Sequence, residues 1–188
     1  MKKLIRKWLA ALRNLHNTDH LDRMIFYRIS SVDEENQTIL IHVVHKNIFI
    51  KQTFSQVVSS PEIIEGLSCE QACWLGVYYG KAIRSALQGR GNFKNIKKPS
   101  YLLKHRYGRY RIHSENRDGT ISCVHLKTRK ELTLSPLSIA KDILFIKEFD
   151  ANQACYIGIL AGIQMNKNEN NLGKEVKQKT IPYLRVVK

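Results

Sequence analysis

The residues best placed to do chemistry are the cations of one long stretch that carries no acid. From Gln71 to Ser114 there is no Asp or Glu, while the same residues include ten Lys or Arg. Cationic side chains neutralise phosphates, and the aromatic rings interleaved among them can stack on unpaired bases. The pattern is typical of a nucleic-acid-binding surface. The candidate binding residues are Arg90, Lys94, Lys97, Lys98, Tyr101, Lys104, Arg106, Tyr107 and Arg109.

The strongly positive overall charge also favours a polyanionic partner. The 188 residues include 31 Lys+Arg against 16 Asp+Glu, which gives a formal charge of +15. No helix-turn-helix, zinc-finger or RNP motif accompanies the basic stretch. We therefore expect the protein to recognise the shape and the phosphate backbone of a nucleic acid, and we favour DNA over RNA as that partner. The alternative is an adaptor subunit of a larger assembly that docks acidic proteins or an anionic membrane surface. The sequence does not predict an oligomeric state.

The other reactive side chains form no known catalytic or metal-binding pattern. The sequence has no G-x-S-x-G, H-E-x-x-H or G-x-x-x-x-G-K-[ST]. Its four cysteines form no C-x-x-C pair, which favours buried thiols in a reducing compartment. His42 and His45 are expected on one strand, facing opposite sides. We therefore predict a non-enzymatic cytoplasmic protein without metal or cofactor, since the N-terminal apolar stretch is too interrupted for a signal peptide.

The chain repeats itself at an offset of 82 residues. Five identities define the repeat: Gln71, Ala72, Cys73, Gly76 and Gly80 match Gln153, Ala154, Cys155, Gly158 and Gly162. Thr38-Ile39 matches Thr120-Ile121 at the same offset, and Tyr27-Arg28-Ile29 matches Tyr110-Arg111-Ile112 one residue further on. The one-residue difference between the two offsets arises in a segment rich in turn residues, where a change of loop length is tolerated. We infer a tandem duplication.

Each copy has the pattern of strands followed by one helix. β-branched and aromatic runs, with Asp118-Gly119 as a hairpin turn, predict the strands. These are Ile25–Val32, Thr38–Val44, Asn47–Val58 (a third strand bent into a fourth), Tyr110–Ser114, Thr120–Lys127 and Glu131–Leu134. Ser68 and Asp150 are suitable N-caps for the helices. Gln71 and Gln153 follow at the spacing of a capping box, in which the glutamine side chain bonds the N–H of the cap.

The two predicted helices are apolar on every side, which is typical of buried helices. Each helix carries two glycines one turn apart, and each glycine lowers the stability of the helix by about 1 kcal/mol relative to alanine. Close approach of another backbone would offset that cost. Our hypothesis is that the helices cross at Gly76, Gly80, Gly158 and Gly162 on a pseudo-twofold axis, with a sheet on each outer side. The alternative is that each glycine pair packs against its own sheet.

These observations predict an α+β fold made of two β-β-β-α copies and an N-terminal amphipathic helix. The predicted boundaries are a basic amphipathic helix at 1–20, repeat 1 at 21–90, a basic linker at 91–104, repeat 2 at 105–166, and a polar loop with a last strand at 167–188. Pro182 favours an edge position for that strand.

Overall fold

The computed structural model describes residues 25–87, 98–165 and 185–186. Within them the chain is α+β, with two three-stranded antiparallel meanders and several helices, which confirms the predicted class. The helix predicted at 1–20, the linker up to residue 97 and the polar loop up to residue 184 lie outside the described residues.

The first sheet is built from β1 (Tyr27–Asp33), β2 (Thr38–Val43) and β3 (Ile48–Thr53). A short strand, β7 (Arg185–Val186), pairs in parallel with β1, so the strand order is β3-β2-β1-β7. This short strand falls within the C-terminal region where the sequence predicted a last strand, and it lies at the edge of the sheet. Alternate side chains of β2 are buried in the core, whereas in β1 the register shift separates the buried Ile29 and Val32 by three residues.

The second sheet is built from β4 (Tyr110–Glu115), β5 (Ile121–His125) and β6 (Glu131–Leu134). The turn predicted at Asp118-Gly119 is confirmed: Gly119 has a φ of 84°, and the Thr120 N–H donates to Asp118 Oδ1 at 2.9 Å. The first hairpin of each sheet shifts register once, between Ile29 and Ser31 in one and between Ile112 and Ser114 in the other.

Two short helices follow each sheet, and the sequence predicted none of them. They are α1 (Phe54–Val58), α2 (Pro61–Glu65), α4 (Pro136–Lys141) and α5 (Ile143–Ile146). The strand predicted to run to residue 58 was wrong, because Thr53 and Gln56 form a capping box that ends β3 and starts α1. β2 also ends early, at Val43. His45 lies in the 3-10 turn Val44–Lys46 that follows, so the two histidines do not share a strand.

The two long helices are α3 (Cys69–Leu87) and α6 (Ala151–Gln164). The predicted caps are confirmed: Ser68 Oγ accepts from the Gln71 N–H at 3.3 Å, and Asp150 Oδ1 accepts from the Gln153 N–H at 2.8 Å. The capping box predicted at Gln153 was wrong. Its Oε1 accepts from the Ile112 N–H at 3.3 Å, because β4 passes directly over the start of this buried helix.

The backbones of α3 and α6 approach each other closely at four glycines. A Cβ atom on Gly76 would lie 2.2 Å from the Cys155 carbonyl oxygen, and one on Gly158 would lie 2.0 Å from that of Cys73. One turn later, Gly80 and Gly162 would each place a Cβ 2.3 Å from a backbone carbonyl oxygen of the other helix. These distances are far below van der Waals contact, so no side chain fits there. Residues 151–162 of α6 are all buried, whereas α3 is partly exposed.

Both helices run in the same direction. Cys69 Sγ donates to the Phe149 carbonyl at 3.2 Å where the helices begin, and Arg84 Nη1 donates to the Ile163 carbonyl at 3.3 Å near their far ends. The sheets begin at the same end as the helices. The N–H groups of Phe26 and Tyr27 bond the Gly66 carbonyl, and those of Arg109 and Tyr110 bond the Glu148 carbonyl. We call this end of the molecule the helix-start end.

Candidate nucleic-acid interface

The described part of the basic linker, residues 98–104, is packed against both halves of the protein. A 3-10 turn, Ser100–Leu103, buries Leu102 completely. The Tyr101 hydroxyl donates to the Val58 carbonyl, and burial raises the pKa of this phenol above its ordinary value. Tyr101 is thus half-buried, with its hydroxyl held by the first half of the chain. Arg90, Lys94 and Lys97 lie outside the described residues.

Lys98 contacts a carboxylate and a ring rather than lying free in solvent. Its Nζ is 2.5 Å from Glu115 Oε2, and it also lies 5.3 Å from the centre of the Tyr156 ring. The Tyr156 hydroxyl donates to the same Glu115 oxygen at 2.7 Å. Burial would raise the pKa of Glu115, but the hydrogen bonds from Lys98 and Tyr156 outweigh it and hold this pKa below its ordinary value. The arrangement ties β4 to α6.

The Glu115 arrangement predicts a pH-dependent contribution to stability. A carboxylate with a lowered pKa in the folded state stabilises the fold above its unfolded pKa, and that contribution is lost as the pH falls through the folded value. Because Glu115 is partly exposed, we expect Glu115→Gln to lower the free energy of unfolding by only about 0.5–1 kcal/mol at pH 7. Urea denaturation at neutral and acid pH measures this, and the difference should shrink as the pH falls below the ordinary glutamate pKa of about 4.3 and vanish below the lowered pKa of the folded state. Glu131→Gln, at an exposed site on β6, is the control. A loss of stability for Glu115→Gln that persists in acid would contradict the assignment.

Arg106, Tyr107 and Arg109 lie at the helix-start end. The Arg106 N–H donates to Asp150 Oδ2 at 2.8 Å, and the Tyr107 hydroxyl accepts from the Ala151 N–H at 3.2 Å. The loop is therefore fixed to the first turn of α6 by backbone and hydroxyl bonds, which leaves the guanidinium groups outside.

Each of the two arginines pairs with one carboxylate and stays exposed. Arg106 Nη1 is 2.9 Å from Glu65 Oε2, and Arg109 Nε is 3.3 Å from Glu148 Oε2. The side chains remain 57% and 51% exposed, respectively. A guanidinium carries five N–H donors, so one ion pair leaves further donors for a phosphate.

A second group of cations, which the sequence analysis missed, lies beside Arg109. The Leu126 N–H donates to the Arg109 carbonyl at 2.8 Å, which places the β5–β6 turn next to this arginine. The turn is well fixed, because the Thr128 N–H donates to His125 Nδ1 at 3.0 Å and Arg129 has a φ of 59°. The exposed cations of the turn are Lys127, Arg129 and Lys130. The run Lys-Thr-Arg-Lys was visible in the sequence, but only strand pairing brings it to this end.

Positive charge exceeds negative charge across this surface. The carboxylates Glu65, Glu70 and Glu148 are paired with Arg106, Lys147 and Arg109, respectively. In the described part of the chain, no ion pair involves the other cations, Lys104, Lys127, Arg129 and Lys130. Both long helices also begin here, and the positive ends of their macrodipoles add to the potential. We call Lys104, Arg106, Arg109, Lys127, Arg129 and Lys130 the basic end surface.

The cysteines are buried, including Cys69 at the helix-start end. All four are free thiols, and burial raises the pKa values of Cys73 and Cys123 to about 12. Cys73 and Cys123 are therefore protonated at neutral pH and poor nucleophiles. Over residues 25–87 and 98–165, no three His, Cys, Asp or Glu side chains cluster as metal ligands would. Within the same ranges, no helix combines the length and apolar character needed to cross a bilayer.

Comparison with known proteins does not identify the chain. No protein-family model, curated protein or solved structure matches it.

Proposed function

We propose that the chain is a non-enzymatic nucleic-acid-binding protein, regulatory or architectural, that holds the phosphate backbone on its basic end surface. The observation that carries the proposal is the surplus of exposed cations beside the helix starts, where Glu65, Glu70 and Glu148 are already paired and Glu131 is the exposed carboxylate next to Lys130. Cations gathered on one surface bind a polyanion mainly by releasing its condensed counterions. Duplex DNA is the first substrate to test.

The binding mode we propose is backbone contact rather than recognition of base edges. Glu65 and Glu148 hold Arg106 and Arg109 in place, and the remaining N–H donors of each guanidinium can bond phosphate oxygens. The lysines lie on loops and contribute as mobile point charges. Contacts of this kind position a nucleic acid without selecting its sequence.

We also infer that the two halves are duplicated copies related by a pseudo-twofold axis between α3 and α6. The glycine contacts support this because they are reciprocal: Gly76 faces Cys155 and Gly158 faces Cys73, each partner 82 residues from its counterpart. Such reciprocity is the property of a twofold interface. The repeated bulge in each first hairpin, and the positive φ at both Asn47 and Arg129, support it further.

Binding of the wild-type protein across a salt series tests the proposed function. Labelled duplex DNA, single-stranded DNA and RNA would each be titrated by fluorescence anisotropy between about 50 and about 300 mM salt. We expect the logarithm of the duplex association constant to fall with the logarithm of salt with a slope of about −3 to −5, since up to six cations can each neutralise a phosphate. Absence of binding to all three at low salt would contradict the proposal and favour an acidic protein or anionic membrane partner.

A further inference from the structure

The outer face of the first sheet carries an exposed aromatic ring stacked on a histidine. We propose that Phe49, supported by His42, is a stacking platform for the bases of single-stranded nucleic acid; this rests on the proposed function and adds a second site to it. The two ring centres are 4.7 Å apart with an angle of 17° between the planes, and Phe49 is 58% exposed. One face of the phenyl ring therefore packs on His42, while much of the rest of the side chain is open to solvent.

The platform is fixed in orientation before any ligand arrives. His42 Nε2 is hydrogen-bonded to Asn47 Oδ1 at 3.0 Å, which sets the rotation of the imidazole ring. Asn47 has a φ of 51° and ends the 3-10 turn Val44–Lys46, so its side chain is itself held by a tight turn. Asparagine tolerates this left-handed conformation better than most residues. A preorganised ring stack loses little conformational entropy when a base joins it.

Cations for the phosphates lie next to the platform. Lys51 is two residues beyond Phe49 on the same face of β3, and Lys46 lies in the adjoining turn; both are exposed. The Val44 N–H donates to the Phe26 carbonyl at 2.9 Å, which places this turn at the helix-start end, as the Leu126 bond to Arg109 does for the other sheet. The platform and the basic end surface thus share one end of the molecule. Stacked bases flanked by cations are how proteins hold single strands.

The second sheet shows that the fold does not require this ring. In the first sheet Arg28, His42 and Phe49 lie side by side in register, whereas the corresponding row of the second sheet is Arg111, Val124 and Glu131. A charged glutamate occupies the position that Phe49 has in the first sheet. Folding therefore gives no reason to keep an exposed phenylalanine there, and a ligand does.

Two alanine variants separate loss of the ring from a general effect of shortening an apolar side chain of β3. Phe49→Ala removes the ring, and Ile48→Ala, the control, shortens the neighbouring side chain, which is 47% exposed and faces the opposite side of the sheet. Each would be titrated with labelled oligo(dT) and oligo(U) by anisotropy. We expect Phe49→Ala to bind about 10-fold more weakly with an unchanged salt slope, because it removes stacking and no charge. Ile48→Ala should bind as wild type does, and Phe49→Trp should keep its affinity and show fluorescence quenching on binding.

Two results would overturn the platform, given variants that melt at the wild-type temperature. One is unchanged single-strand affinity in Phe49→Ala. The other is an equal loss in Ile48→Ala, which would mean that binding responds to the shortening of any apolar side chain on β3 and not to the ring. Both are distinct from failure of the proposed function, in which the wild-type protein itself binds no nucleic acid. Duplex binding by Phe49→Ala should stay at the wild-type level, since paired bases cannot stack on the ring.

Discussion

A methyl group added at Gly158 should lower the free energy of unfolding by about 3 kcal/mol or more. The added Cβ would lie 2.0 Å from the Cys73 carbonyl oxygen, which belongs to the backbone of the other long helix and cannot rotate away. The two helices would have to separate, and α6 is buried along the whole of residues 151–162. In a helix without such a neighbour, the same change would stabilise by about 1 kcal/mol. A loss of stability in Gly158→Ala, rather than a gain, therefore indicates that the backbones of α3 and α6 approach closely at this glycine.

Thermal and urea denaturation of Gly158→Ala measure this effect. For a chain of this length, a loss of about 3 kcal/mol corresponds to a fall in Tm of about 6–12 °C. Ser85→Ala, at an exposed position of α3, is the control and should stay within about 0.5 kcal/mol of wild type. Gly80→Leu and Gly162→Leu test the same packing one turn further along. If all three glycine variants melt as wild type does, the helices do not pack at their glycines in solution.

The elements that the sequence predicted correctly are those with local signals. The six longer strands show β-branched runs bounded by turn residues, and Asp118-Gly119 marks a hairpin by itself. Ser68 and Asp150 precede long apolar runs, so the starts of the two long helices could be predicted to the residue.

The short helices could not be predicted, because their stability is not local. Residues 54–58 read Phe-Ser-Gln-Val-Val, which favours a strand by composition. A five-residue helix is marginal in isolation, and this one forms because Phe54, Val57 and Val58 are all buried in the core. The capping-box spacing of Thr53 and Gln56 is the signal in the sequence that could have indicated this helix.

The arrangement of the candidate binding residues could be predicted only in part, for the same reason. The loop around Arg106 and Arg109 was identified from composition, but the exposure of a side chain depends on tertiary contacts. Lys98 contacts Glu115, which lies on a strand beyond the linker. The turn from Lys127 to Lys130 joins the surface through the β4–β5 hairpin, but the sequence analysis did not use this hairpin to place the turn beside Arg109. Contacts between separate segments, such as that of Lys98 with Glu115, are set by the whole fold and carry no local pattern.

Replacing both arginines of the basic end surface should produce the largest change in binding. Arg106→Gln with Arg109→Gln removes two cations and leaves Glu65 and Glu148 without these ion-pair partners. We expect the salt slope for duplex DNA to become shallower by about 2, and the affinity near 0.1 M salt to fall about 50-fold. Stability should change by no more than about 1 kcal/mol per arginine, because exposed ion pairs contribute little.

A second double variant makes the same change in charge at a different place. Arg117 lies in the β4–β5 turn, where Gln164 Nε2 donates to the Gly119 carbonyl at 2.6 Å, so it is close to the end of α6. Lys81 lies in the second half of α3. Lys81→Gln with Arg117→Gln therefore removes two cations away from the helix-start end. A response to total charge alone would affect both double variants equally.

The most direct test of nucleic-acid binding at the helix-start end is the salt slope of these two double variants, measured on the same duplex. The slope of Arg106→Gln with Arg109→Gln should be shallower than wild type by about 2, while that of Lys81→Gln with Arg117→Gln should stay within about 0.5 of wild type. Equal slopes for the two variants would contradict the assignment, because binding would then depend on total charge and not on this surface.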